Sequence, residues 1–258
     1  MVGQERFKEQ LNNYTRATFP HSVLLLGDEG SGHYEMCEYI ANKFDLSFID
    51  ISDILTKELI DQISLSSEST LYAININKLD EPKQNALLKA YEEPNMYCYF
   101  ILYGESNFNV LDTLITRSYI MNLDKFTPEM LEKLVNNSEK DYILKICNTP
   151  GQIEVANHTN ITELKGLCDT IINKMSKANF SNALTIANKI NFTDEYSKYD
   201  MSLFIKVLSE RILSSGKYEL YEPLHKVNKT IRFMNDKKRY FEQFIIKMWI
   251  ISRSQNDC

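Results

Sequence analysis

The chain has 258 residues, 43% hydrophobic and 25% charged, with a net charge of −6. That composition excludes wholesale disorder, and the length is enough for a buried core without disulfide or metal staples. An acidic balance argues against a protein that binds DNA by itself through a basic face. The balance is uneven: residues 217–258 hold nine basic and five acidic residues, a net +4, leaving −10 in the rest. A solvated helix face accounts for this excess, as would a surface near a nucleic acid or an acidic partner. No apolar run reaches the roughly 18–20 residues of a membrane span, and the N-terminus carries no basic-then-apolar signal pattern. Five scattered cysteines, at 37, 98, 147, 168 and 258, have no metal-ligand or framework spacing. Reduced thiols, a cytoplasmic setting and no metal centre are therefore expected.

In chain order, residues 4–14 read as a helix, with Phe7 and Leu11 on one face. VLLL (23–26) is a continuous apolar run of the kind buried on both faces of a parallel sheet. A Gly-rich turn and the helix-periodic EMCEYIANKF (35–44) follow. FIDI (48–51), LYAINI (71–76), YCYFILY (97–103) and YIMNL (119–123) are further strands. Helices are expected near 56–65, at 83–93 (stopped by Pro94) and at 110–118. Strands alternating with helices imply an α/β parallel sheet. Beyond Asp124 the signal turns helical: 127–135, with Thr127 as N-cap and Pro128 at the first position, then 139–147, 150–157, 161–175, 180–190, 200–214, 217–233 and 236–251.

GDEGSGHY (27–34) has the glycine spacing of a P-loop, with Gly27 and Gly32 in register and Gly30 between them. An ordinary strand–helix turn has the same look. In a working P-loop a Lys reaches the β/γ-phosphates and a Ser/Thr hydroxyl holds Mg²⁺. Here His33 and Tyr34 occupy those positions. Neutral imidazole is too short to replace an ammonium, and a lost charge-assisted hydrogen bond costs about 1.5–3 kcal/mol. The acidic pair expected at the end of a neighbouring strand falls at Ile74 and Asn75, which supply neither a hard-cation ligand nor a base. Two independent losses point to a degenerate nucleotide site. A divergent ATPase that uses His33, or a regulator with weak nucleotide binding, is the alternative.

NALLKAYEEP (85–94), followed by YFILYGE (99–105) and LDTLITRS (111–118), resembles the delta-prime subunits of bacterial DNA polymerase III clamp loaders. VGQERFKEQL (2–11), FPHSVLLLGDEGSG (19–32) and NDKKRYFEQFIIKMW (235–249) are similar to family segments in the same order. The resemblance implies an AAA+ α/β domain over 1–123, a small helical lid over 124–176 and an all-α oligomerisation collar over 177–258. It implies a hetero-oligomeric ring with other AAA+ subunits, a sliding clamp, and primer–template DNA contacted collectively through phosphates. The delta-prime position is commonly non-hydrolysing, so no bound cofactor is expected; ATP and Mg²⁺ belong to neighbouring subunits. The family's Ser-Arg-Cys motif maps onto Thr116-Arg117-Ser118, making Arg117 an arginine finger supplied in trans. The alternative for Arg117 is an intramolecular salt bridge at a helix end.

Departures from the family pattern are also expected to matter. A four-Cys zinc module has no counterpart in the segment after the Gly loop, which holds only Cys37, so no zinc is expected. A nucleotide-sensing Arg of the lid is replaced by Gln152 or Ile153, and the sensor after the fourth strand falls near Gly104-Glu105. Glu92 and Glu93 look like paired catalytic carboxylates but read better as a helix end. His21, His158 and His225 are not expected to carry chemistry. Trp249 is expected on the apolar face shared with Ile245 and Ile246, and Lys237-Lys238-Arg239 either faces DNA or begins a solvated helix.

Overall fold

A computed structural model describes residues 3–175, 185, 199–221, 224–225 and 237–254. They fall into two compact units. The first runs to Lys133 and includes Asn148–Gly151; the second comprises Leu134–Cys147 and the described residues from Gln152 onward.

The first unit is a five-stranded, wholly parallel sheet of order β2-β3-β4-β1-β5, an AAA+ α/β arrangement. The strands are β1 (Ser22–Leu26), β2 (Ser47–Asp50), β3 (Thr70–Asn75), β4 (Cys98–Gly104) and β5 (Tyr119–Asn122). The helices are α1 (Glu5–Leu11), α2 (His33–Lys43), α3 (Lys57–Ile63), α4 (Glu81–Glu92) and α5 (Asp112–Ile115), followed by α6 (Pro128–Glu132). Successive strand residues point to opposite faces, so each central strand feeds two cores. Val23, Leu25, Leu71, Ala73, Ile101 and Met121 meet Phe7 and Leu11 of α1 and Met36, Cys37 and Ile40 of α2 on one face. Leu24, Tyr72, Ile74, Phe100 and Leu102 meet Ile60 and Ile63 of α3, Leu87 and Tyr91 of α4 and Leu114 of α5 on the other. Each fully buried aliphatic or aromatic side chain contributes about 1.5–3 kcal/mol. This two-sided burial is why the inner strands carry unbroken apolar runs, whereas the edge strands β2 and β5 leave Ile49, Tyr119 and Ile120 exposed.

All five expected strands are present, within a residue at each end. The helix expected over 110–118 is the single turn α5, because its last residues close as a turn (Arg117 N–H to Leu114 O, 3.2 Å; Ser118 N–H to Ile115 O, 3.1 Å). The helix expected over 4–14 ends at Leu11, and that over 127–135 at Glu132. Thr127 is the N-cap of α6 and Pro128 its first residue. The N-terminal helix is pinned to the far end of β5. Gln4, 2% exposed and left-handed at φ 66°, donates to Asp124 O and accepts from Asp124 N–H, while the Asp124 carboxylate accepts from Phe7 N–H.

The second unit is helical where described: α7 (Lys140–Ile146), most of α8 (Pro150–Asn157), α9 (Ile161–Met175) and the helices Met201–Ser214 and Lys237–Ser254, both packed on α9. Buried Ile143, Leu164, Cys168, Phe204, Leu208, Ile212, Phe244 and Met248 form its interior. Glu210 accepts from the Tyr142 hydroxyl and from Lys145 Nζ, both at 2.8 Å, and Arg211 grips Asp169 with two nitrogens at 2.7 and 2.9 Å. Trp249 is half-buried beside buried Ile245. Helices on either side of the expected 176/177 boundary belong to this one unit, and the boundary itself lies outside the described residues. So do most of the helix expected at 180–190 and the greater part of 217–233, in which Tyr218–Leu220 is a 3₁₀ turn. Cys37, Cys98, Cys147 and Cys168 are free and buried; burial pushes the Cys147 thiol up to about 11 and that of Cys168 to about 12.

Candidate functional site

The Gly loop leaves the C-terminal end of β1, where Gly27 N–H donates to Gly104 O and Leu123 N–H to Leu26 O. Gly30 (φ 79°) and Gly32 (φ 86°) take left-handed conformations that other residues adopt only with strain, and Gly32 is the N-cap of α2. A side chain at Gly27 would meet Leu123 Cβ at 2.9 Å and His33 Nε2 at 3.2 Å. His33 therefore folds back over Gly27, its ring stacked at 6.2 Å on Tyr103. Its Nε2 is buried without a hydrogen-bond partner, and burial lowers its pKa below the ordinary 6.5. At neutral pH the position that holds a cation in a P-loop thus carries an uncharged ring. Tyr34 is exposed and packs edge-on against Phe48 at 5.3 Å.

Residues Asn148–Gly151 close on the same loop. Thr149 Oγ1 donates to Glu29 O at 2.6 Å and Gly151 N–H to Gly30 O at 3.0 Å. The two glycine backbones touch so closely that a Cβ on Gly151 would lie 2.8 Å from Gly30 Cα. The surface over Gly30 is covered by the backbone of Gly151.

The strand ends beside the loop hold a closed polar network. Tyr103 donates its hydroxyl proton to Asp50 Oδ2 at 2.8 Å, and the other Asp50 oxygen accepts from Ser52 N–H and Oγ–H. Ser52 Oγ in turn accepts from Asn75 N–H at 2.8 Å. Asn75 Oδ1 caps the 3₁₀ turn Ile76–Lys78, and Ile74 is fully buried. These residues are engaged structurally, and Ile76 packs against Gly104. Among the described residues no group of three His, Cys, Asp or Glu side chains could hold a metal ion. Gln152 and Ile153 are buried in the second unit, where Gln152 Oε1 accepts from Lys206 Nζ.

Arg117 sits just past α5. Its Nη1 donates to Thr113 O at 2.9 Å and its Nη2 to Glu92 Oε1 at 2.8 Å, with the two side chains 37% and 52% exposed. The helix-end ion pair weighed as an alternative for Arg117 is thus present, and its partner is the first residue of the EEP string. Sequence reasoning named both residues without joining them. One turn-pair upstream on α4, Gln84 is buried and grips the approach to α5: Nε2 donates to Asn109 O and Oε1 accepts from Leu111 N–H, both at 2.7 Å. Gln84 and Glu92 thereby hold α5 and its following turn at both ends. His21 shares Nδ1 with Cys98 O at 2.8 Å and stacks on Tyr99 at 4.7 Å, which is a packing role. His158 and His225 are exposed. The side chains of Lys237-Lys238-Arg239 lie outside the described residues.

Comparison with known proteins finds a likeness in sequence over part of the chain and a likeness in fold over most of it. Residues 45–127, which include the whole NALLKAYEEP and Thr116-Arg117-Ser118 region, match the family model for the DNA polymerase III delta subunit. DNA polymerase III subunit delta' of Buchnera aphidicola subsp. Schizaphis graminum is 27% identical over 114 residues, 44% of this chain and 35% of that protein. The matched part thus spans about a third of the relative's length. A solved DNA polymerase III gamma subunit-related protein of Thermotoga maritima superposes with a TM-score of 0.51 at 14% identity, covering 97% of this chain and all of that one. A mutant of RuvB from the same organism gives 0.52 at 19% identity, covering 96% and 88%. At such identities the structural likeness is one of fold, and the fold is that of an AAA+ module. The delta-prime resemblance read from the sequence is borne out over residues 45–127, and the fold is of AAA+ type. No described helix is long and apolar enough to cross a membrane.

Proposed function

We propose that this chain is a non-hydrolysing, delta-prime-like subunit of a DNA polymerase sliding-clamp loader that lends Arg117 to the ATP site of a neighbouring subunit. The observation that carries the reading is a contrast: a surface guanidinium is fixed at the end of α5, while the chain's own Gly loop carries a half-buried, uncharged His33 at the position where a P-loop has its cation. The Gly30–Gly151 contact and the Asp50–Ser52–Tyr103 network support it, since the chain's own groups engage the loop and the polar atoms at the strand ends. Arg117 presents a planar fork of N–H donors, suited to the charge that spreads over a transferred phosphoryl group. Such a finger is worth roughly 10³–10⁵ in rate in other NTPases.

In this reading the subunit binds no ATP or Mg²⁺ itself, works in a hetero-oligomeric ring with other AAA+ subunits, and reaches the clamp and primer–template DNA as part of that ring. The division into an α/β domain to 123, a lid over 124–176 and a collar over 177–258 belongs to the same proposal. The test is Arg117→Ala, assembled into the complex recovered from the native host. Folding and assembly should persist while DNA-dependent ATPase activity falls by at least tenfold. An assembled complex with full activity would overturn the finger assignment.

A further inference from the structure

The geometry points to Glu92 as the positioning residue of the finger. This rests on the reading of Arg117 as a trans-acting group and goes beyond it. An exposed arginine carries about 2 kcal/mol of rotamer entropy, so a guanidinium that must meet a phosphate across an interface gains from being held beforehand. Two acceptors hold this one. Thr113 O, four residues back along the turn, takes a proton from Nη1 at 2.9 Å. Glu92 Oε1, from a different helix, takes one from Nη2 at 2.8 Å. Acceptors on separate elements and separate nitrogens fix the plane of the fork, not just its position. They use one N–H from each terminal nitrogen and leave three of the five donors for an incoming anion.

The frame behind the pair is rigid. Glu92 closes the twelve-residue α4, whose inner face is buried through Leu87, Ala90 and Tyr91. The same helix clamps the Asn109–Leu111 approach to α5 through buried Gln84. The finger's mount and its orienting carboxylate are therefore carried by one element, eight residues apart. The EEP carboxylate that invites a reading as a catalytic acid acts instead through Arg117. It touches no substrate of its own.

The discriminating experiment compares Glu92→Ala, Glu92→Gln and Arg117→Ala in the assembled complex, measuring kcat and KM for DNA-dependent ATP hydrolysis. An exposed pair of this kind sets the expected size, roughly a two- to fivefold fall in kcat for Glu92→Ala with KM unchanged. Glu92→Gln keeps a carbonyl oxygen in place and should restore most of the rate. Glu92→Ala combined with Arg117→Ala should be no slower than Arg117→Ala alone. In the isolated full chain, the Arg117 guanidinium NMR signals should show restricted rotation that Glu92→Ala releases and Glu92→Gln largely keeps. A wild-type kcat or a raised kcat for Glu92→Ala, or no recovery with Gln, overturns the positioning role while a slow Arg117→Ala complex leaves the finger standing. If Arg117→Ala itself has full activity, both the finger and its positioning fall.

Discussion

Gly151 donates its N–H to Gly30 O at 3.0 Å, 121 positions away in sequence, and the two backbones meet with no room for a methyl group between them. A Cβ on Gly151 would stand 2.8 Å from a backbone atom, which has no rotamer to move into. Gly151→Ala should therefore destabilise the fold by about 1–3 kcal/mol, the usual cost of overpacking, despite the better helix propensity of Ala. Thermal unfolding checks this, and an unchanged or higher Tm would mean that the loop and the 148–151 segment are not in contact in solution.

Gln84 is nearly buried and satisfies two backbone groups of the 109–111 segment at once. Gln84→Ala removes two part-buried hydrogen bonds, which at the usual net worth of such bonds amounts to about 1–3 kcal/mol. Urea titration should show the midpoint fall with the slope unchanged. Glu92→Ala, removing an exposed pair, should cost under about 1 kcal/mol in the same assay.

Tyr91 presents the opposite case. Its side chain packs against Phe100 within the apolar core, and its hydroxyl is buried without a hydrogen-bond partner. Burial drives its pKa far above that of an ordinary phenol, so the group stays neutral. Tyr91→Phe removes a desolvated hydroxyl and keeps the ring. Stability should be unchanged or rise by up to about 2 kcal/mol. A clear loss in Tm would show that the hydroxyl has a partner in solution.

His33 sets a pH dependence whose sign follows from its burial. Its folded-state pKa lies below the ordinary 6.5, so the unfolded chain takes up a proton that the folded chain resists. The unfolded state then binds more protons as pH falls from about 6.5 toward the folded-state value, and stability drops across that window. Above it the group contributes no slope. His33→Gln should flatten the fall in stability between pH 7 and pH 5, measured as Tm against pH. An identical profile for the variant would mean that the imidazole is as solvated folded as unfolded.

Much of the first unit was legible because its causes are local or one-dimensional. β1, β3 and β4 are buried on both faces, so each reads as a short continuous apolar run. Asp80 caps α4 by accepting from Lys83 N–H, Pro82 follows near the first turn, and Pro94 forbids continuation. That His33 and Tyr34 follow the loop where a P-loop would have Lys and Ser or Thr is visible in the letters alone. So is the Thr116-Arg117-Ser118 string, because its meaning lies in residue type and order.

The strand order β2-β3-β4-β1-β5 was not written in any segment, since parallel pairing joins residues tens of positions apart. Nor was the partner of Arg117. Glu92 and Arg117 are 25 residues apart on different helices, and their 2.8 Å contact exists only because α4 and α5 pack together over Leu87 and Leu114. Gln4 with Asp124, and Gly30 with Gly151, are pairings of the same kind across 120 or more residues. The amino-acid sequence by itself determined the apolar runs of the inner strands, the residue types that follow the Gly loop and the string that holds Arg117. The tertiary structure decided what fills the loop and what steadies the arginine, because a hydrogen bond depends on distance through space, and that distance is set by the packing of elements whose order along the chain says little about who their neighbours are.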